Sequence, residues 1–164
     1  MSCGVPSESW CRSAAVVSWR LAAALCIAVL AGAPAEAMQL ITPAEAALPF
    51  GDMPALVLRG SPLRRPNVVV VAPAVHGGVV NSPLHLIMRF RAFGGTKIDS
   101  QSIVVTYKKQ PMLNITKRIL PYISETGIDL PDAEVPSGLH EFRILLRDNE
   151  GHVGGIDFGF QVSP

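Results

Sequence analysis

Cysteine is absent from most of this 164-residue chain. All three cysteines, Cys3, Cys11 and Cys26, precede residue 38. Residues 38–164 can therefore form no disulfide, no thiolate metal site and no cysteine nucleophile. Their stability has to come from a hydrophobic core, which a domain of about 100 residues can supply.

Tryptophan and charge are also scarce. Both tryptophans, Trp10 and Trp19, precede residue 38, and charged residues make up 16% of the chain with a formal net charge of +1. Without tryptophan, residues 38–164 lack the large ring that most favours stacking on sugars, which weakens a carbohydrate-binding interpretation. The basic residues occur as short pairs that we expect to be solvated, so nothing electrostatic favours nucleic-acid binding.

Short catalytic motifs are missing as well. The sequence has no G-x-S-x-G elbow and no H-E-x-x-H pair, and its paired glycines lack the G-x-G-x-x-G spacing. Asp129 and Asp132 could form a carboxylate pair for glycoside hydrolysis, but no aromatic sugar platform accompanies them. We therefore expect the protein not to be an enzyme.

An apolar segment stands near the amino terminus. Arg12 and Arg20 precede the uncharged residues 21–32, and Ala35-Glu36-Ala37 follows as a small-x-small site. This order is typical of a secretory signal peptide, whereas a membrane-spanning helix needs about 20 apolar residues. The sequence predicts a signal peptide at residues 1–37, cleaved before Met38, and a secreted or periplasmic protein that does not insert into the membrane after cleavage. A retained membrane anchor is the alternative.

Proline dominates the next segment, at positions 43, 49, 54, 62 and 66. Because proline disrupts long helices and central strands, residues 38–66 are predicted to form a proline-rich tether. Thr42, Pro43 and Glu45 have the spacing of a helix start with a capping box. A short helix is therefore expected within the tether.

Residues 67–164 consist of short apolar alternations separated by glycine, proline, asparagine and aspartate. Alternation of this kind is typical of sheets with one buried face. It predicts an all-β domain, an antiparallel β-sandwich of about seven strands. The clearest strands are expected at residues 68–72, 84–93, 103–108, 113–119, 139–147 and 156–162, with a linking segment around Ile128 and Leu130.

Histidines and carboxylates are concentrated between Pro136 and Val162. A turn at residues 148–151 makes this stretch a hairpin. His140 then lies on the order of 25 Å from His152, so the two cannot share a metal. The alternation places His140 on the inward face as a hydrogen-bonded residue. Asp148, Glu150 and His152 could meet at the tip, although a solvated loop explains them equally well.

Three segments resemble bacterial immunoglobulin-like (Ig-like) domains of secreted and cell-envelope proteins. They are "VVVVAPAVHGGVVNSPLHLIMRF", "IDSQSIVVTY" and "VPSGLHEFRILLRDNEGHVGGIDFGFQV", which together extend over about residues 67–164. The resemblance implies an Ig-like sandwich with a binding, adhesion or scaffolding role, and it transfers no site residues. The cysteine pair of antibody-type domains is missing.

The second predicted strand also resembles small periplasmic copper carriers. In that family the first residue of the mature chain is a histidine ligand, whereas Met38 stands at that position here. The remaining metal candidates are His76 and His85, with Met53, Met88 or Met112 as soft ligands. The arginines that follow His85 disfavour a cation at that position.

These observations predict a non-catalytic binding or scaffolding module that needs no cofactor and binds a protein partner in the cell envelope. An exposed sheet edge is the expected means of binding. A periplasmic copper-binding protein is the alternative.

Overall fold

The computed structural model describes residues 37–58, 64–73 and 79–164. Residues from Ala37 to Pro164 belong to one compact unit. The signal peptide predicted for residues 1–37 precedes this unit and lies outside the described residues, as does His76. Within the described ranges, none of the helices has the length and apolar character required to cross a membrane.

Strands make up most of the described chain, which confirms the all-β prediction. Six strands have six residues or more and four have two residues. In chain order the elements are β1 (Met38–Gln39), α1 (Pro43–Ala46), β2 (Asn67–Ala72), β3 (Val79–Val80), β4 (Leu84–Arg91), β5 (Ile98–Tyr107), β6 (Leu113–Asn114), α2 (Thr116–Ile119), a 3-10 turn (Leu120–Tyr122), β7 (Ile123–Ser124), β8 (Gly127–Glu134), β9 (Gly138–Asp148) and β10 (Val153–Val162).

The strands form two sheets. Sheet I has the order β1-β8-β4-β2, with β7 also paired to β8, and sheet II has the order β3-β10-β9-β5-β6. The long strands pair antiparallel, as predicted. The short strands β1 and β3 instead run parallel to β8 and β10, so both sheets are mixed. The purely antiparallel prediction is therefore wrong at these two edges.

The core lies between the two sheets and follows the predicted alternation. The inward residues of β4 and β9 are buried, among them Met88 at 0% exposure and Phe142 at 2%. Aromatic rings of sheet II pack in a row, with centroids of neighbouring rings 5.0–6.5 Å apart. Offset packing of this kind adds to the free energy gained from burial alone.

Two segments of the domain differ from the prediction. The strand expected at residues 113–119 ends at Asn114, whose side chain accepts a hydrogen bond from the Thr116 N–H (3.0 Å) and so favours a turn, and α2 follows with Ile115 at its N-cap. The segment around Ile128 and Leu130 is the strand β8, and both side chains are fully buried. A bulge at Pro131 and Asp132, where Asp132 has a φ of 51°, interrupts its alternation, which explains why it resembles a linker in the sequence.

Residues 38–50, predicted as part of the tether, belong to the folded domain. Leu40 and Ile41 are each 1% exposed and contribute to the core. The predicted capping box is present, since Thr42 Oγ1 accepts from the Glu45 N–H (3.2 Å) and Glu45 Oε2 accepts from the Thr42 N–H (2.9 Å). Arg118 binds both Glu45 carboxylate oxygens and also donates to the Leu40 carbonyl (2.8 Å). This part of the predicted tether therefore packs on the domain core.

Candidate functional site

His85, one of the predicted metal candidates, lies on the outer face of sheet I. Its Nε2 is 2.6 Å from Asp129 Oδ1, and the side chain is 50% exposed. Arg89 and Arg91 follow on the same face of β4. Across the described part of the chain, no group of three His, Cys, Asp or Glu side chains is arranged to hold a metal ion. His85 thus makes a surface hydrogen bond with Asp129 and is not a member of such a cluster.

The three methionine candidates separate into two places. Met88 is fully buried in the core, as its alternation in β4 indicates. Met53 and Met112 line one cleft of about 400 Å³, next to Lys109 and Pro111. No histidine is among the residues that line this cleft. The structure therefore brings two thioethers together away from His85.

The tip of the predicted hairpin is organised by Asp148, whose side chain is fully buried. It accepts hydrogen bonds from the backbone N–H groups of Glu150 (3.0 Å) and His152 (2.8 Å), and its Oδ2 lies 3.0 Å from His152 Nδ1. Burial alone would raise the pKa of Asp148, but these hydrogen bonds from His152 and Glu150 hold the pKa below its usual range. The predicted meeting of acidic and histidine side chains occurs, and it closes the turn.

His140 takes the predicted inward position. Its ring is 1% exposed, with Nε2 2.8 Å from the Pro136 carbonyl and Nδ1 2.9 Å from the Tyr107 hydroxyl. A carbonyl only accepts, so Nε2 carries the proton and Nδ1 accepts from Tyr107. Burial lowers the pKa of His140 and raises the pKa of Tyr107 to about 12. Both groups are neutral and join the start of β9 to β5.

Lys109 departs from the expectation that the basic pairs are solvated. Its side chain is 4% exposed, and Nζ lies 3.7 Å from the centre of the Phe50 ring. Burial lowers the pKa of Lys109. The lysine therefore secures residue 50 against the end of β5 by a cation–π contact.

One side of the sandwich, which we call the open side, has unpaired strand edges in both sheets. It consists of β2, the last strand of sheet I, and β10, which β3 covers only at Gln161 and Val162. The rest of both outer edges carries no strand among the described residues. Edges of this kind present N–H and C=O groups to which another chain can pair.

Apolar side chains are left incompletely buried on the open side. Val70 of β2 and Ile156 of β10 point inward but are only half-buried, in contrast to Val68 at 2% exposure. Val71 and Val79 are 52% and 60% exposed. The open side therefore offers apolar surface together with unpaired main chain.

The two strands of the open side approach each other at one end. A Cβ added to Gly154 of β10 would lie 1.8 Å from the Pro66 carbonyl oxygen, which directly precedes β2. Only glycine permits this approach, so Gly154 fixes where the sheets meet. The half-buried Val70 and Ile156 lie beyond this contact along both strands.

Arginines surround the beginning of β2. Arg89 and Arg91 of β4 pair in register with Val69 and Asn67, and Arg64 precedes the strand. These three side chains are exposed, and no carboxylate of the described residues lies within salt-bridge distance of them. Arg64 also lines a cleft of about 460 Å³ with Phe93 and the hairpin tip. The open side is therefore basic at this end.

Comparison with known proteins leaves the chain without a family. No family model matches it, and no curated protein matches it. A solved structure with some similarity is the X-ray structure of the endo-beta-1,4-mannanase from Thermotoga petrophila, at 14% sequence identity and a TM-score of 0.42. The alignment covers 62% of this chain and 20% of that chain.

The sequence predicted an exposed edge without locating it. A signal was present in residues 68–71, because four consecutive valines form a strand that carries no charged residue. Edge strands are usually protected by charge or proline, so an uncharged β-branched strand next to arginines is unusual. The arginines of β4 join this set only through the pairing of β2 with β4.

Proposed function

We propose that the protein is a non-catalytic, secreted or periplasmic Ig-like module that binds a protein partner by adding a strand of that partner to its open side. The observation that carries the proposal is the unpaired edge of β2, where Val71 remains 52% exposed. In strand addition, main-chain hydrogen bonds supply affinity and the alternating side chains supply specificity.

The order of the strands supports the Ig-like assignment. Ig-like sandwiches place strands A, B and E in one sheet and C, F and G in the other. Here β2, β4 and β8 are neighbours in sheet I, while β5, β9 and β10 are neighbours in sheet II. The first strand is divided between the sheets, because β3 pairs with β10 after β2 pairs with β4. The three segments that resemble Ig-like domains contain these strands.

The location outside the cytoplasm rests on the amino-terminal pattern. Arg20, the apolar residues 21–32 and the small residues before Met38 have the order of a secretory signal peptide. An envelope or extracellular partner is then the class of protein that the open side would meet.

The energetics favour a partner that pairs along β2. Each main-chain hydrogen bond to the edge contributes about 1 kcal/mol net. Covering a half-exposed valine such as Val71 contributes about 1 kcal/mol more, since complete burial of a valine side chain is worth roughly 1.5–3 kcal/mol. Several such contributions have to exceed the entropy lost on association, so we expect a partner segment that is already extended.

The test is site-specific photo-crosslinking in the producing cells. We would introduce p-benzoylphenylalanine at Val71 or Val79 and, as a control of matched exposure, at Leu120 of the 3-10 turn, which is 58% exposed. The proposal expects discrete protein adducts from positions 71 and 79 and none of the same size from position 120. Identical adducts from all three positions, or adducts from position 120 alone, would show that the open side is not the binding element.

Soft-metal binding is a second candidate function. It is favoured by one observation, that Met53 and Met112 line the same cleft, because thioethers prefer soft ions such as copper(I). A ligand at 100 times its dissociation constant stabilises a protein by about 2.7 kcal/mol. Copper(I) should then raise the unfolding temperature, and the Met53→Leu/Met112→Leu variant should abolish the rise. If the rise disappears instead in His76→Ala or His85→Ala, the histidines are the ligands, and no rise at all excludes this function.

A further inference from the structure

We propose that the partner strand is acidic, with carboxylate side chains at alternate positions that face the arginines beside β2. This inference rests on the proposed strand addition and adds the chemical class of the segment that is bound. The juxtaposition that carries it is an uncharged, unpaired edge strand flanked by the exposed cations Arg64, Arg89 and Arg91.

The register places two of these cations within reach of an added strand. Arg89 is opposite Val69 and Arg91 is opposite Asn67, so both lie one strand inward from the edge. Neighbouring strands are about 4.8 Å apart, which puts the backbone of an added strand roughly 10 Å from β4. Long side chains that extend over Val69 from both sides can bridge this separation. Successive side chains of a strand alternate between its faces, so every second residue of the partner would meet the arginine row.

Among the described residues, no carboxylate lies within salt-bridge distance of Arg89 or Arg91, whereas Glu150 lines the same cleft as Arg64. Arg89 is opposite Gly127 in β8, which has no side chain to offer. Asp129, the next acidic residue along β8, is paired with His85 at 2.6 Å. An incoming carboxylate would therefore complete an ion pair rather than compete for one, and a basic segment would be repelled.

The length of the regular edge limits the size of the partner segment. The pairing of β2 with β4 is regular from Asn67 to Val70 and then shifts, leaving Val71 at a bulge. A bulge twists the edge away and ends regular pairing. We therefore expect a short acidic segment of about four paired residues.

A second copy of this chain fits the same edge less well. Two β2 strands paired edge to edge would bring the arginines of both copies to one seam. Residues 64–73 contain no carboxylate that could offset that charge. Like charges placed together across an interface oppose association, so charge favours an acidic partner over self-pairing.

The experiment uses three capped synthetic octapeptides as probes. The first alternates glutamate with valine, the second alternates lysine with valine, and the third is the glutamate peptide with every second amide N-methylated. Binding is measured by fluorescence anisotropy at low salt, and the site is located from backbone amide shifts of β2. We expect the glutamate peptide to bind and to shift the amides of residues 67–70, and the other two peptides to bind at least about tenfold more weakly.

Matched charge variants complete the test. Arg89→Glu/Arg91→Glu should weaken the glutamate peptide at least about tenfold. Lys117→Glu/Arg147→Glu makes the same change in net charge at exposed positions elsewhere and should alter affinity less than about twofold. Arg89→Gln/Arg91→Gln should give an intermediate loss of affinity for the glutamate peptide. It replaces Arg89→Glu/Arg91→Glu as the test if that variant fails to fold.

The outcomes separate the two proposals. Equal binding of the glutamate and lysine peptides would overturn the acidic partner and leave strand addition intact. Equal binding of the N-methylated glutamate peptide would overturn strand addition, because the charges would then act without main-chain pairing. Failure of all three peptides to bind, or dimerisation of the protein through β2 amides, would also overturn the acidic partner.

Discussion

The ion pair between Glu45 and Arg118 joins the amino-terminal segment to the rest of the domain. Arg118 donates to Glu45 Oε2 at 2.8 Å and to Oε1 at 2.5 Å, and it also donates to the Leu40 carbonyl. The side chains of Glu45 and Arg118 are 17% and 36% exposed. Glu45→Gln keeps the shape of the side chain and removes its charge, so the variant isolates the ionic contribution.

The expected loss of stability follows from the titration of Glu45. The hydrogen bond from Arg118 lowers the pKa of Glu45 from 4.5 to about 2. Converted completely, this difference corresponds to about 3 kcal/mol. Exposed ion pairs contribute only about 0.2–1 kcal/mol, and solvent screens a pair in which Arg118 keeps a third of its surface. We therefore expect Glu45→Gln to lower the free energy of unfolding by about 1.5 kcal/mol, or roughly 5 °C in Tm.

The sign of the pH dependence provides the sharper test. A carboxylate whose pKa is lower in the folded state stabilises fully above the unfolded value of 4.5. That contribution is lost as the pH falls towards 2. The difference in unfolding free energy between the protein and Glu45→Gln should therefore be constant above pH 5 and should shrink below pH 4.5.

Urea unfolding followed by circular dichroism at pH 7, 4 and 3 measures this difference. Glu125→Gln, at an exposed position between β7 and β8, is the matched control and should change stability by less than about 0.5 kcal/mol. Arg118→Lys should keep the positive charge but not the two-pronged geometry. The reasoning is refuted if Glu45→Gln behaves like Glu125→Gln, or if its deficit does not depend on pH.

Two further predictions concern the core and the open side. Burial lowers the pKa of His140, so the unfolded chain takes up that proton first and stability should decrease as the pH falls below about 6.5. The His140→Gln variant should lack this decrease in urea titrations at pH 7.5 and 5.5, and identical pH slopes for the protein and His140→Gln would contradict this. Tyr107→Phe should lower the free energy of unfolding by about 1–2 kcal/mol, because His140 Nδ1 loses its hydrogen-bond donor. Gly154→Ala should cost about 2 kcal/mol, because its Cβ would collide with the Pro66 carbonyl oxygen. An unchanged midpoint of thermal unfolding would show that the strands of the open side do not meet there.

Much of the sandwich could be predicted from local pattern. The period-two alternation of β4, β9 and β10 identified these strands and their buried faces, because apolar residues of such a strand face the core and polar residues face the solvent. The same alternation placed His140 inward. The capping box at Thr42 and Glu45 was predictable for a similar reason, since it requires only residues that are three positions apart.

The elements that were missed depend on distant partners. The pattern of β8 is broken by the bulge at Pro131 and Asp132, and its place in the centre of sheet I comes from pairing with β4 and β1. Leu40 and Ile41 are a short apolar pair in a proline-rich segment, and only the core that receives them makes the segment ordered. Local propensity carries no information of this kind.

The sequence predicted that the candidate site is an exposed sheet edge, but it did not predict which edge. Whether a strand is last in its sheet is a property of the topology, which no single segment encodes. The valines of β2 and the arginines of β4 become one surface only through register, and His85 acquires Asp129 in the same way. A site whose residues come from several strands can be located only when the pairing of those strands is known.

The two parallel pairings at the edges have a consequence for how the chain acquires its structure. Met38 pairs with Ala133, and Val79 pairs with Gln161. The strands synthesised early therefore cannot form these pairs until strands much later in the chain have been synthesised. Contacts of such large sequence separation slow folding, because the conformational entropy of the intervening loop is lost before the contact forms and contributes its favourable free energy. Sheet I requires β8, which ends at Glu134, and sheet II cannot be completed until Val162 has been synthesised. During synthesis the nascent chain therefore stays incompletely folded until almost all of the domain has emerged.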